Sequence, residues 1–376
     1  MFTVKQNAVL VGVCLVLCNL CCYAQEVGLK DALKGKFLMG VAVDDEQASG
    51  KDTKALPLIL KNFNSIVVEN CMKSEVIQPE EGKFDFEQAD RFVKFGEAHK
   101  LHMVGHVLVW HSQTPKWFFV TDDKGTTVTR DVLIERMRKH ITTVVTRYKG
   151  RIQSWDVVNE AFMDDGSYRD SPFYKIIGKD YIKLAFQFAR EADPNAELIY
   201  NDYSVEHEGR RDAIVKLVND LKREGIKVDG IGSQGHITMD YPDFKDTEKA
   251  IIAFAGTGAK VMITEMDLTT LPAPVEGDMG ADVYLNFKYD KKLDPYADGL
   301  PDALAKQLHD RYAEAFRVFL KHQDKISRVT IWGLTDGQSW RNDWPIRGRH
   351  DYPVWFDRNY QPKPIVKTII EEATKK

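Results

Sequence analysis

Eight short apolar runs, each followed by a longer amphipathic stretch, constrain this chain more than any other feature. The apolar runs cover 37–43, 65–70, 102–110, 154–161, 197–204, 230–237, 260–268 and 328–336. Their β-branched and aromatic residues suit buried strands. Between them lie helical patterns at about 52–62, 86–100, 129–149, 174–192, 208–224, 246–258 and 302–322, with a last one over 363–374. Within the third, Val132, Leu133, Met137, Ile141, Val144, Val145 and Tyr148 fall on one face at helical spacing. Strand and helix alternating in this way predict a (β/α)8 TIM barrel in a single domain. The competing architecture, a doubly wound open sheet, has fewer repeats and a glycine-rich first turn. No GxGxxG follows the first run here.

Composition narrows the setting. A net charge of −4 shows neither a nucleic-acid footprint nor a polybasic membrane patch. Lys5, the apolar stretch from Ala8 to Leu20 and the end Cys22-Tyr23-Ala24 read as a secretory signal peptide over 1–24. That leaves 25–376 as the catalytic domain, with no membrane span once the leader is removed and the periplasm or cell surface as destination. A lipoprotein signal competes, but none of the four leader cysteines follows the small residue such a signal uses. Of five cysteines only Cys71 then remains, so no intrachain disulfide forms and Cys71 reads as a buried filler. No repeat or linker suggests an appended module, and the protein is expected to act as a monomer. The stretch 271–301, rich in proline and glycine, reads as a long loop after the seventh strand, on the face where barrel active sites lie.

Strand ends supply the chemistry. The fourth run stops at Asn159-Glu160 and the seventh carries Glu265 and Asp267. A glutamate half out of an apolar wall has a raised pKa, as a general acid needs, and a second strand-end glutamate makes the pair a glycosidase requires. Around them the other strand ends offer Glu69, Asn70 and Lys73; His106, Trp110, His111 and Gln113; Asn201, Asp202 and Tyr203; Gln234 and His236; Trp332 and Trp340. Amides, imidazoles and indoles suit a neutral polyhydroxylated ligand, whose hydroxyls pair with them and whose C–H faces stack on rings. The histidines match no zinc spacing and no HExxH helix, so no metal or other cofactor is expected. The absence of a GxSxG elbow argues against a serine hydrolase.

These motifs have a further resemblance. Glu69-Asn70-x-Met72-Lys73, Gly105-His106 through Trp110-His111-x-Gln113, Trp155 through Asn159-Glu160, Tyr200-Asn201-Asp202-Tyr203, Ser233-Gln234-Gly235-His236, Ile263-Thr264-Glu265-Met266-Asp267 and Trp332-Gly333-Leu334-Thr335-Asp336 resemble family 10 glycoside hydrolases. That family comprises endo-β-1,4-xylanases on a (β/α)8 barrel, and the resemblance runs from about 37 to 374. It implies Glu160 as acid/base, Glu265 as nucleophile, and Asp267 orienting His236. It also implies that Glu69, Asn70, Lys73, His106, Trp110, Gln113, Asn159, Gln234, His236, Trp332 and Trp340 line the glycone side, with Tyr203 near the aglycone. The ligands it implies are xylan and xylo-oligosaccharides. Two other readings remain at this point: a β-1,4- or mixed-linkage glucanase of a related barrel, and a non-catalytic glycan-capture protein.

Overall fold

The computed structural model describes residues 27–274 and 287–375. The expected leader and the middle of the 271–301 stretch lie outside the described residues. The strands in chain order are β1 (Leu38–Val43), β2 (Ser65–Val68), β3 (His102–Gly105), β4 (Ser154–Asn159), β5 (Glu197–Asp202), β6 (Gly230–Ser233), its short continuation β7 (His236–Thr238), β8 (Lys260–Thr269) and β9 (Ile326–Ile331). All pairings are parallel. Each strand from β1 to β5 pairs with the next, β8 pairs with β7 and β9, and the β1–β9 and β6–β8 pairings close the ring. This is the eight-stranded TIM barrel expected of the sequence, with no free sheet edge among the barrel strands.

Several boundaries differ from expectation, among them the sixth run, which is interrupted at 234–235, and three more bear on the barrel mouth and its surrounding helices. β3 ends at Gly105 instead of 110; beyond it Leu108 N–H donates to Asp156 O, and Val109 rejoins β4 as a bridge to Val158. The helix expected over 174–192 is two, Pro172–Ile177 and Asp180–Ala192, because Gly178 between them takes a φ of +82°. β9 ends at Ile331, and Gly333 with a φ of +109° turns the chain toward the loop that carries Trp340. The outer helices form as patterned. Arg130–Arg147, for example, starts at Thr129, whose side chain caps Val132 N–H, and buries Leu133, Met137, His140, Ile141, Val144 and Val145.

Apolar packing is mostly outside the ring, between strands and helices, where Trp155 and Cys71 are buried. The barrel's own interior is largely polar at its floor. Ser154 Oγ donates to Glu197 Oε2 at 2.9 Å, and Lys260 donates to the other oxygen at 2.8 Å. His102 Nε2 lies 2.9 Å from Ser154 Oγ and 3.4 Å from Arg328. Burial first, and the Arg328 charge second, push the His102 pKa down to about 4. Above this floor a small cluster of Ala42, Val67, Val104 and Trp332, with Trp340 against it, supports the open end.

On that end, the described part of the proline-rich loop is tied down by Asp294. Its buried carboxylate accepts from Tyr289 OH at 2.9 Å and from His350 N–H at 2.7 Å. Among the described residues no helix is long and apolar enough to cross a bilayer.

Gly105 exposes how tightly the outer layer fits: a Cβ there would lie 2.2 Å from Trp155 Cε3 and Cζ3. Gly105→Ala is expected to cost about 1–3 kcal/mol by overpacking. Urea unfolding would read this as a lower midpoint at unchanged slope; a wild-type midpoint would show that Trp155 shifts freely.

Candidate active site

Both central glutamates sit where the regular pleat is broken. In β4 the register against β5 slips between Asp156 and Val158, and Glu160, just past the strand, has a left-handed φ of +58°. In β8 the residues Thr264 and Glu265 oppose a single residue of β9, a bulge between the pairs Ile263–Val329 and Met266–Ile331. Consecutive strand residues normally point to opposite faces. Here Thr264 Oγ1 donates to Asn201 Oδ1 at 2.6 Å while Glu265 Oε1 accepts from Asn201 Nδ2 at 2.7 Å, so both turn into the barrel mouth.

Three carboxamides connect the two glutamates. Asn201 Nδ2 also donates to Asn159 Oδ1 at 3.0 Å, and that oxygen accepts from Gln234 Nε2 at 3.2 Å. Asn159 Nδ2 and Gln234 Nε2 then donate to Glu160 Oε1 at 3.2 and 3.0 Å. The other Glu160 oxygen accepts from Trp110 Nε1 at 2.9 Å, with His111 Nε2 3.9 Å away. Both glutamates are buried.

Glu265 is distinguished by its second partner. His236 Nε2 stands 3.3 Å from its Oε2, and His236 Nδ1 stands 2.9 Å from Asp267 Oδ1. Burial opposes charge on His236, but the Asp267 carboxylate and the Glu265 hydrogen bond lift its pKa to about 9. The imidazolium therefore donates from both nitrogens at neutral pH. Glu265 responds in turn: burial pushes its pKa up, and the His236 hydrogen bond, the His106 and His236 charges and the Asn201 hydrogen bond outweigh this and hold it below the ordinary value. Asp267 is held well below the carboxylate range despite complete burial, because Arg341 and His236 both face it. Arg341 donates to its Oδ1 through Nη2 at 2.9 Å and Nε at 3.2 Å, and Trp340 Nε1 donates to its Oδ2 at 2.7 Å.

The β2 and β3 ends close another wall. Lys73 donates to Asn70 Oδ1 and Gln113 Oε1, both at 2.8 Å, and lies 5.3 Å from the Trp110 ring centroid. Burial lowers the Lys73 pKa against the pull of Glu69, Glu265, Glu75 and Glu160. Burial likewise raises Glu69 to about 7, with Lys73 opposing. Asn70 is exposed at the rim. His106 Nδ1 pairs with Asp156 Oδ2 at 2.9 Å, and its ring meets Trp332 edge-on at 5.3 Å. Tyr203 is buried too: its hydroxyl accepts from Arg169 at 2.6 Å and Arg210 lies 4.1 Å from its ring. Among the described residues no group of three or more His, Cys, Asp or Glu could hold a metal ion.

Comparison with known proteins gives the family. The glycosyl hydrolase family 10 profile matches residues 28–372. This chain belongs to that family. It is 51% identical over 343 residues to endo-1,4-beta-xylanase A of Xylanibacter ruminicola, covering 91% of this chain and 92% of that protein. A solved family 10 endoxylanase from a sugarcane soil metagenome superposes with a TM-score of 0.86 at 44% identity, covering 93% of this chain and all of that one. A mutant solved in complex with xylotriose gives 0.81 at 34% identity, covering 92% and 99%.

One hydrogen-bonded network at the barrel mouth joins Glu160, Glu265, Asn159, Gln234, His236, Asp267, Trp110 and Trp340, and it includes residues that the sequence did not mark. Asn201 stood in the strand-end inventory, but nothing in its spacing marked it as the bridge between the glutamates. Arg341 follows Trp340 without any motif of its own, and Asp156, beneath His106, reads in sequence as one more strand residue.

The Asp267–His236 pair has a pH signature. Because the folded His236 value lies above the free-imidazole value of about 6.5, its stabilisation is complete below that pH and is lost as pH rises through about 9. In Asp267→Asn the ring pKa is expected to fall from about 9 to near or below about 6.5, followed by NMR of its Cε1–H. A variant ring still titrating near 9 would assign the charge to Glu265 alone.

Proposed function

We propose that this chain is a retaining endo-1,4-β-xylanase in which Glu160 is the acid/base and Glu265 the nucleophile. The observation that carries the assignment of roles is the contrast between the two carboxyls. Glu265 is held ionised by an imidazolium and an amide, as a nucleophile must be. Glu160 accepts from the Trp110 indole and two amides, neutral donors with no charged hydrogen-bond partner among them, as suits a group that must give and take a proton.

In the first step Glu160 protonates the glycosidic oxygen while Glu265 attacks the anomeric carbon. The aglycone leaves and a glycosyl-enzyme forms. In the second, Glu160 takes a proton from water, the hydroxide attacks the same carbon, and Glu265 is released with the configuration retained. His236 keeps its proton throughout and holds Glu265 in place before attack and after release. Asn159 is suited to the sugar 2-hydroxyl, a contact that strengthens in the transition state. Neither step needs a metal or a cofactor.

The glycone side in this reading is walled by Glu69, Asn70, Lys73, Gln113, His106, Trp110, Gln234, Trp332 and Trp340, with Tyr203 toward the aglycone. Trp340, fixed by Asp267, and Trp332, fixed by its apolar cluster, would fill the space that the hydroxymethyl group of glucose needs. The relatives named above as xylanases, and the one solved with xylotriose, support xylan and xylo-oligosaccharides as the ligands. The leader-like first 24 residues support action outside the inner membrane, where such a polymer is met.

Proton NMR of the anomeric region during digestion of soluble xylan tests the mechanism. Early β-anomers that later mutarotate are expected from the wild type. Glu265→Ala should give none, and Glu160→Ala should turn over xylan about 10²–10⁴-fold more slowly. Early α-anomers, or Glu265→Gln at near wild-type turnover, would remove the assignment. For selectivity, kcat/KM on aryl xylobioside should exceed that on aryl cellobioside by an amount worth about 1–3 kcal/mol, the scale for one group of that size; a preference for the glucose compound would make the enzyme a glucanase.

A further inference from the structure

A residue bearing a side chain rarely takes a φ of +58°, and keeps it only where the surroundings enforce it. For Glu160 the enforcement lies in the backbone on either side of its Cα. The Glu160 N–H donates to the Asn201 carbonyl at 3.0 Å. The Glu160 carbonyl accepts from Arg169 Nε at 3.0 Å, and the next N–H, of Ala161, donates to Tyr200 OH at 3.1 Å. Both polar groups of the Glu160–Ala161 peptide are thus gripped by side chains from elsewhere in the chain.

Neither grip is loose. Tyr200 OH donates to Asp202 Oδ2 at 2.6 Å, and the other Asp202 oxygen accepts from Tyr203 N–H at 3.0 Å. Arg169 Nη2 donates to Tyr203 OH at 2.6 Å, and its backbone N–H to Ala161 O at 2.8 Å. Arg210 bonds the Tyr203 carbonyl at 2.7 Å and faces Asp202 Oδ1 at 3.8 Å. Tyr200, Asp202 and Arg210 are completely buried, and Arg169 nearly so.

We propose that Arg169 and Tyr200 are positioning residues for proton transfer, fixing the aim of the Glu160 carboxyl by clamping the peptide that follows it. The inference rests on the reading of Glu160 as acid/base. Proton delivery needs donor and acceptor within hydrogen-bond reach, and a rotation of this peptide would swing the carboxyl away from the glycosidic oxygen. Loss of the clamp therefore costs most where bond cleavage depends on protonation.

The test compares kcat/KM on phenyl xylobioside, whose leaving group needs a proton, with 2,4-dinitrophenyl xylobioside, whose leaving group departs unaided. Arg169→Met and Tyr200→Phe should lose about 10–100-fold on the phenyl compound, part of the range for a whole acid catalyst, and change little on the dinitrophenyl one. Arg169→Lys, which keeps a donor, should recover part of the loss. Equal losses on both substrates would mean a merely structural role and overturn the proposal. If Arg169→Met does not fold, Tyr200→Phe, which keeps the ring and removes only the hydroxyl, carries the test. Glu160→Ala measured beside them separates the two ideas. If it too fails to discriminate between leaving groups, the acid assignment falls. If it discriminates and the clamp variants do not, only the clamp falls.

Discussion

One buried charge organises the reactive end of this barrel. Asp267 has no exposed surface, and a carboxylate so placed is tolerable only if its oxygens are filled and its charge is met. Trp340, both donors of Arg341 and His236 do so. What they do for Asp267 it returns: His236 is kept charged and aligned with Glu265, and the Trp340 indole is fixed beside them at the barrel mouth. A Glu265 carboxylate held ionised although buried and a Trp340 indole held in one orientation are thus two results of satisfying the same anion.

The second requirement is aim. A parallel barrel strand offers inward and outward directions in strict alternation, which serves packing but gives a catalyst few choices. Both glutamates escape it by a defect, a bulge at Thr264–Glu265 and a left-handed residue at Glu160. Asn159 and Glu160, and Thr264 and Glu265, can then work as adjacent pairs facing one cavity. The carboxamides of Asn159, Asn201 and Gln234 hold those pairs at a fixed relation, since each amide orientation is set by the next.

The barrel was legible because eight buried strands leave a strong repeated pattern, and the glutamates because strand ends are where barrels keep their chemistry. What stayed hidden is whatever depends on contacts between distant segments. Asn201 is 64 residues from Glu265 and Arg341 is 74 from Asp267; no local pattern links them. Single glycines moved element ends in ways periodicity does not record, as at Gly178 and Gly333. Arg169 and Arg210, which pack on Tyr203 from 34 and 7 residues away, carry no motif that would mark them as its neighbours.

The β1–β9 pairing joins Leu38 to Arg328 across nearly the full described chain. During synthesis, therefore, a chain that has already made both glutamates cannot yet close its ring. Until the last segment emerges, Asp267 lacks Arg341 and Trp340, and the floor lacks Arg328. Closure and charge balance arrive together and late, a long-range ordering that makes folding slow and all-or-none relative to helical proteins of similar size. A chain that stopped before residue 326 would be an open sheet carrying an unmatched anion.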